Sequence, residues 1–228
     1  VVAPHGGRAL AVVEYLRRLK ERMMALPPYS VEEFWKIVAA LANDLRRCTS
    51  ALEIASKEDD AKAVQSWRRI CAHVVFASLE SAAYHMLSVA YVARNSADVF
   101  FSPDELERLE TAYGFDADNE SKAGLSPEQR LDRIKFAFNA FARVHCSDYL
   151  LEQSDPAWLP VKEIFLIEKR LTQPQTGAEM SISDDSVTNF LEGTAWIMKQ
   201  MVSLLESSEK SIEDRAAFFR EEKDELIM

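Results

Sequence analysis

The stretch from Asp60 to Arg94, DAKAVQSWRRICAHVVFASLESAAYHMLSVAYVAR, decides the fold. Within it Val64, Trp67, Cys71, Val74, Val75, Leu79, Ala82, Met86 and Val89 recur at steps of mostly three and four residues. That period gathers them into one stripe of an α-helix. The spacing predicts a long helix over about 60–94, at the centre of the core. Its part from Cys71 to Ala93 is long enough to cross a bilayer. Glu80, His73, His85 and several serines and alanines within it read instead as a buried helix of a bundle, with no membrane partner.

Working outward, the polar run Lys57 to Asp60 is a connector. Before it a helix is expected from Ser30 to near Ser56, with Phe34, Ile37, Val38, Leu41 and Leu45 on one stripe. Glu33 stands where it can reach back to the Ser30 amide. An earlier helix, about Arg8 to Leu26, ends at Pro27-Pro28. On the other side, Ser102-Pro103-Asp104-Glu105 and Ser126-Pro127-Glu128-Gln129 each combine a capping serine, a proline at the first helical position and a partner three residues on. The first starts a short helix closed by Gly114. After a polar stretch from Asp116 to Gly124, the second starts a helix with Leu131, Ile134, Phe138 and Phe141 facing inward. Asp155-Pro156 opens a further helix through Trp158, Ile164 and Ile167, and Thr172 to Ser183 is the longest polar loop. Ser183 or Asp184 then caps a last helix through Val187, Phe190, Leu191, Ala195, Ile197, Met198, Met201 and Leu205.

With six glycines in 228 residues and no run of alternating β-branched side chains, strands have little support. The expected fold is all-α, an up-and-down bundle of about seven helices in a single domain. Residues 1–56 form an N-terminal helical hairpin packed on a core over 60–207, and 208–228 form a charged helical extension.

A formal charge of −10 argues against a broad footprint for nucleic acid, since such binding needs clustered Lys and Arg. Cys48, Cys71 and Cys146 lack the C-x-x-C spacing of metal and redox sites and read as buried free thiols of a reducing compartment. No secretory leader pattern opens the sequence, so a cytoplasmic protein is expected. His5, His73, His85 and His145 never fall at the i, i+4 spacing that sets two imidazoles on one metal, and no Glu-x-x-His pair is present. No phosphate-binding glycine loop or nucleophile elbow occurs either, so neither a metal nor a cofactor is expected.

Two features of the central helix are candidates for chemistry. Glu80 is an ionisable group amid apolar neighbours and needs a partner or a role, the plainer reading being a bond to another helix. Arg68 and His73 stand five positions apart, which turns their side chains about 140° from one another and does not aim them at one target.

Three segments carry a resemblance. Phe76 to Tyr84 reads FASLESAAY, an acid among small and apolar residues. Ile167 to Pro174 reads IEKRLTQP, and Ile182 to Met198 reads ISDDSVTNFLEGTAWIM. Together they resemble HEPN-like helical domains, whose ribonuclease members carry an arginine and a histidine in a motif written R-N-x-x-x-H. Those segments are similar to the family's early helix, its motif helix end and its closing helix, over roughly Trp67 to Leu205.

The resemblance implies a two-fold dimer in which arginine and histidine act on the RNA backbone. Here Glu168 stands in the arginine position, Lys169 in the asparagine position and Gln173 in the histidine position, while Arg170, Leu171 and Pro174 agree with the pattern. Glutamate repels phosphate, and glutamine does no acid–base work near neutral pH. The expectation is a non-catalytic HEPN-like homodimer that acts by binding RNA or protein, in a defence or stress setting. One alternative is a helical interaction scaffold with no nucleic-acid role. Another is a ribonuclease using Arg68 and His73 with Glu80 nearby.

Overall fold

The computed structural model describes residues 29–96, 99–113, 125–152 and 154–227, and among them the chain is an all-α bundle of six helices packed on one another. The expected helix over Arg8 to Leu26 lies outside the described residues, as do Gly114 and the stretch from Asp116 to Gly124. The six are α1 (Tyr29–Lys57), α2 (Ala61–Ala93), α3 (Pro103–Tyr113), α4 (Pro127–Val144), α5 (Trp158–Thr172) and α6 (Asp184–Ile227).

In α1 the buried Val31, Phe34, Val38, Cys48 and Ala55 follow a near-heptad seam, the spacing that keeps one edge of a helix against an antiparallel neighbour. That neighbour is α2. The turn between them is made by Asp59, at a left-handed φ of 56°, and by Asp60. The Asp60 carboxylate accepts from the N–H groups of Lys62 and Ala63, both at 3.0 Å, and so satisfies donors that α2 would otherwise leave open.

The central helix lies within a residue of the predicted bounds. It touches all five other helices. Cys71, Val75, Leu79, Ala82 and Met86 are buried as the stripe requires, and Ala72, Ala83, Leu87, Ala90 and Ala93 bury a second side. These alanines let neighbouring helices approach closely, so α2 is enclosed from several directions. By length and composition it is the one membrane-span candidate among the described residues, and 44% of its most apolar window is buried in the bundle.

The caps predicted at Ser102 and Ser126 form as reciprocal pairs. Ser126 Oγ accepts from the Gln129 N–H at 3.2 Å while Gln129 Oε1 accepts from the Ser126 N–H at 2.8 Å. Ser102 and Glu105 repeat the arrangement at 3.3 and 2.9 Å. Helix α5 begins at Trp158, later than Asp155-Pro156 suggests, because Asp155 spends its carboxylate on the Ala157 N–H at 2.8 Å and makes a turn first. The long polar loop contains a short 3-10 turn, Gly177–Met180, that periodicity does not reveal. Ser183 is the cap of α6, accepting from the Ser186 N–H at 3.2 Å.

The charged extension continues α6 without a break to Ile227. Its first turns are tied down: Ser211 Oγ and Arg215 Nη2 donate to the His145 carbonyl at 2.8 and 2.9 Å, where α4 ends. One cysteine expectation is corrected here. Cys48 and Cys71 are buried, but Cys146 is exposed. It follows the end of α4 at a left-handed φ of 49°, where the chain turns away from the core.

Candidate functional site

Glu80 leaves α2 toward α4. Its Oε1 accepts from Arg130 Nη1 at 3.1 Å and its Oε2 from Arg133 Nη1 at 2.5 Å. The two arginines are three residues apart, on one face of α4, as a helix allows. Arg130 is further held with its guanidinium 5.0 Å from the Phe76 ring centre and its Nε donating to the Leu125 carbonyl at 3.3 Å. These side chains are only 15–24% exposed, so the carboxylate is screened weakly and depends on its partners. Sequence reading missed Arg130 and Arg133. Their signal was an i, i+3 pair of cations beside the inward stripe of Leu131 and Ile134.

Beside this pair lies a cleft of about 550 Å³. It is lined by Ile37 of α1, by Glu80, Ser81, Tyr84, His85 and Ser88 of α2, and by Leu125 and Arg133 at the start of α4. The His85 ring stacks on Phe34, with centroids 5.5 Å apart and planes 25° from parallel, which sets its orientation. Ser88 Oγ donates to the His85 carbonyl at 2.9 Å.

Deeper in the core Phe34 and His145 both pack on Phe141. Burial, helped by the nearby Arg215 and His85 charges, pushes the His145 imidazole down to about 4, so it is neutral in the physiological range.

The motif-like segment sits elsewhere. Glu168 on α5 is buried at 8% exposure and faces His73 of α2. Its Oε2 lies 2.8 Å from His73 Nδ1, at ion-pair distance but without hydrogen-bond alignment. Phe76 and Phe165 meet edge to face at 6.0 Å in the same α2–α5 contact. Lys169 and Gln173 are exposed and Arg170 is half-buried. Gln173 ends α5, its N–H donating to the Lys169 carbonyl at 3.1 Å.

Arg68 points away from His73. Its Nη1 donates to the Ile182 carbonyl at 2.7 Å and its Nη2 meets Asp184, so it fastens the start of α6 to α2. Glu80 is two turns farther along α2 from His73 and engages α4. The structure therefore distributes Arg68, His73 and Glu80 among three different partners and joins His73 to Glu168. Among the described residues no group of three or more His, Cys, Asp or Glu side chains is gathered as metal ligands would be.

No family model, curated protein or solved structure is significantly similar to the chain.

Proposed function

We propose that this chain is a non-catalytic HEPN-like helical protein that works by binding, first to a second copy of itself. The observation that carries the reading is the contact between His73 and Glu168. The imidazole nearest the motif-like segment is taken up by the residue that replaces the motif's arginine. Arg68 is likewise committed to Ile182 and Asp184. A phosphate approaching this region would meet a carboxylate, which opposes the charge stabilisation that RNA cleavage requires.

A protein surface is favoured over RNA by the adjoining face. Between Ala63 and Glu80 the exposed residues of α2 are Ser66, Ile70, His73 and Ala77, without a Lys or Arg. On α5, Leu159 and Leu166 are exposed as well, with the exposed Lys169 one turn on from Leu166. A face of this kind suits apolar protein contact better than a polyanion.

The experiment is twofold. Incubation with a labelled oligoribonucleotide is expected to give no cleavage, and sedimentation is expected to give a dimer that Leu166→Glu shifts to monomer. Cleavage that is lost in His73→Ala would overturn the non-catalytic reading. A monomer at all concentrations, or RNA binding that weakens steeply with salt, would overturn the choice of partner.

A further inference from the structure

We infer that Cys48 of α1 and Cys71 of α2 are a disulfide site, closed as the chain folds in contact with a low-molecular-weight disulfide such as oxidised glutathione, and that the bond fastens the first two described helices to each other. Both are thiols in this structure, and the site has no part in the reading proposed for the α2–α5 face.

The register of the α1–α2 hairpin carries the inference. Asp59 and Asp60 make its turn, so residues equally distant from them stand at one level in the two antiparallel helices. Phe34 stands twenty-five positions before Asp59 and His85 twenty-five after Asp60, and their rings stack. Cys48 and Cys71 stand eleven before and eleven after. Each cysteine is thus two heptads from a residue already in contact across the seam, an interval that returns a helix to nearly the same edge. Between the two levels Leu41 and Leu45 meet Val75, Ser78 and Leu79 around one small gap, so the register holds along the seam.

Burial agrees with the register. Cys48 is 8% exposed and Cys71 fully buried, and the Cys71 thiol is pushed up to about 12 by burial and then by Cys48 beside it. Helix axes about 8–10 Å apart, with each Cα about 2.3 Å off its axis, leave directly facing Cα atoms roughly 4–6 Å apart. A disulfide spans about 4.4–6.8 Å between Cα atoms.

The same burial sets the timing. The thiolate is the attacking form, and the packed core withholds it, so exchange takes place before α1 and α2 close on each other. The Cys48 thiolate attacks one sulfur of oxidised glutathione, whose S–S bond breaks and releases one glutathione thiolate. The Cys71 thiolate then attacks the Cys48 sulfur and releases the second. The two thiol protons pass to the two glutathiones; the chain is oxidised by two electrons and the oxidant is reduced by two. The bond closes a loop of 22 intervening residues, which restricts the unfolded chain and leaves the native hairpin as it is.

The test refolds Cys146→Ser, which keeps only this pair, from urea in a mixture of reduced and oxidised glutathione. Digestion without reductant, followed by mass spectrometry, is expected to find a peptide joining Cys48 to Cys71, with the helical circular dichroism retained. The urea midpoint of the linked chain is expected to rise by about 1 M over that of the same chain kept reduced. Folded chain given the same mixture is expected to keep both thiols. When Cys71→Ala is added, the oxidant should give no rise in midpoint. The inference is overturned if refolding leaves the pair free or joined only to glutathione, if the linked chain unfolds at the same or a lower urea concentration than the reduced one, or if the folded chain links as fast as the refolding chain does.

Discussion

Gly193 of α6 lies against the backbone of Pro160 at the first turn of α5, so closely that a Cβ on Gly193 would stand 2.6 Å from the Pro160 carbonyl carbon and 2.7 Å from its oxygen. Both obstructing atoms are main chain and cannot swing aside. The contact is one of close helix approach and not of backbone conformation, since no glycine among the described residues has a positive φ.

Gly193→Ala is therefore expected to destabilise the fold even though alanine is the better helix former. Overpacking of this kind costs about 1–3 kcal/mol, against a propensity gain of about 1. Urea unfolding should show a lower midpoint with an unchanged slope, and an unchanged midpoint would contradict the close crossing.

Stability should fall with acid in a defined window. His145 is held neutral down to about pH 4, whereas in the unfolded chain it takes up its proton near the ordinary value of 6.5. Between these values the unfolded state binds more protons, so its stabilising contribution is complete above about 6.5 and lost as pH falls toward 4. The size is about 3 kcal/mol. Unfolding midpoints measured from pH 7 to 4 should decline in the parent chain, and the decline should be shallower in His145→Phe.

Removing Glu80 should cost more than a surface charge does. Glu80→Ala leaves Arg130 and Arg133 facing each other without the carboxylate between them. Breaking a fully buried pair costs about 3–5 kcal/mol, and the partial exposure here reduces the expectation to roughly 2. Chemical denaturation of Glu80→Ala measures it, and a change under about 0.5 kcal/mol, the size expected for a surface site, would contradict the bridging role.

The three thiols should separate by reactivity. Burial, and then the neighbouring Cys48, pushes the Cys71 thiol up to about 12, while Cys146 is exposed beside Arg215, whose Nη1 lies 3.7 Å from its sulfur. A disulfide reagent at pH 8 should modify Cys146 quickly, with Cys48 and Cys71 reacting only after unfolding, because the thiolate is the reactive form.

Asp60→Ala should lower stability by about 1 kcal/mol through loss of the α2 cap, and Asp60→Asn, which keeps an acceptor oxygen, should recover most of it.

Among the described residues the sequence alone determined the α-helices and most of their beginnings. A cap or an apolar stripe is settled by residues three and four apart, so Ser102 with Glu105, Ser126 with Gln129 and the run from Cys71 to Met86 declare themselves locally. Even the missed start at Trp158 has a local cause in the Asp155 turn.

What the tertiary structure decided is where each charged or polar side chain goes. Glu80 was legible as a residue in need of a partner. That the partners are Arg130 and Arg133, about fifty positions away, depends on how α2 and α4 cross. The same holds for His73 meeting Glu168, for Arg68 turning to Asp184, and for Cys146 lying outside the core. Hydrogen bonds and ion pairs act over a few ångströms, and only the packing of helices distant in the chain brings those groups within that range.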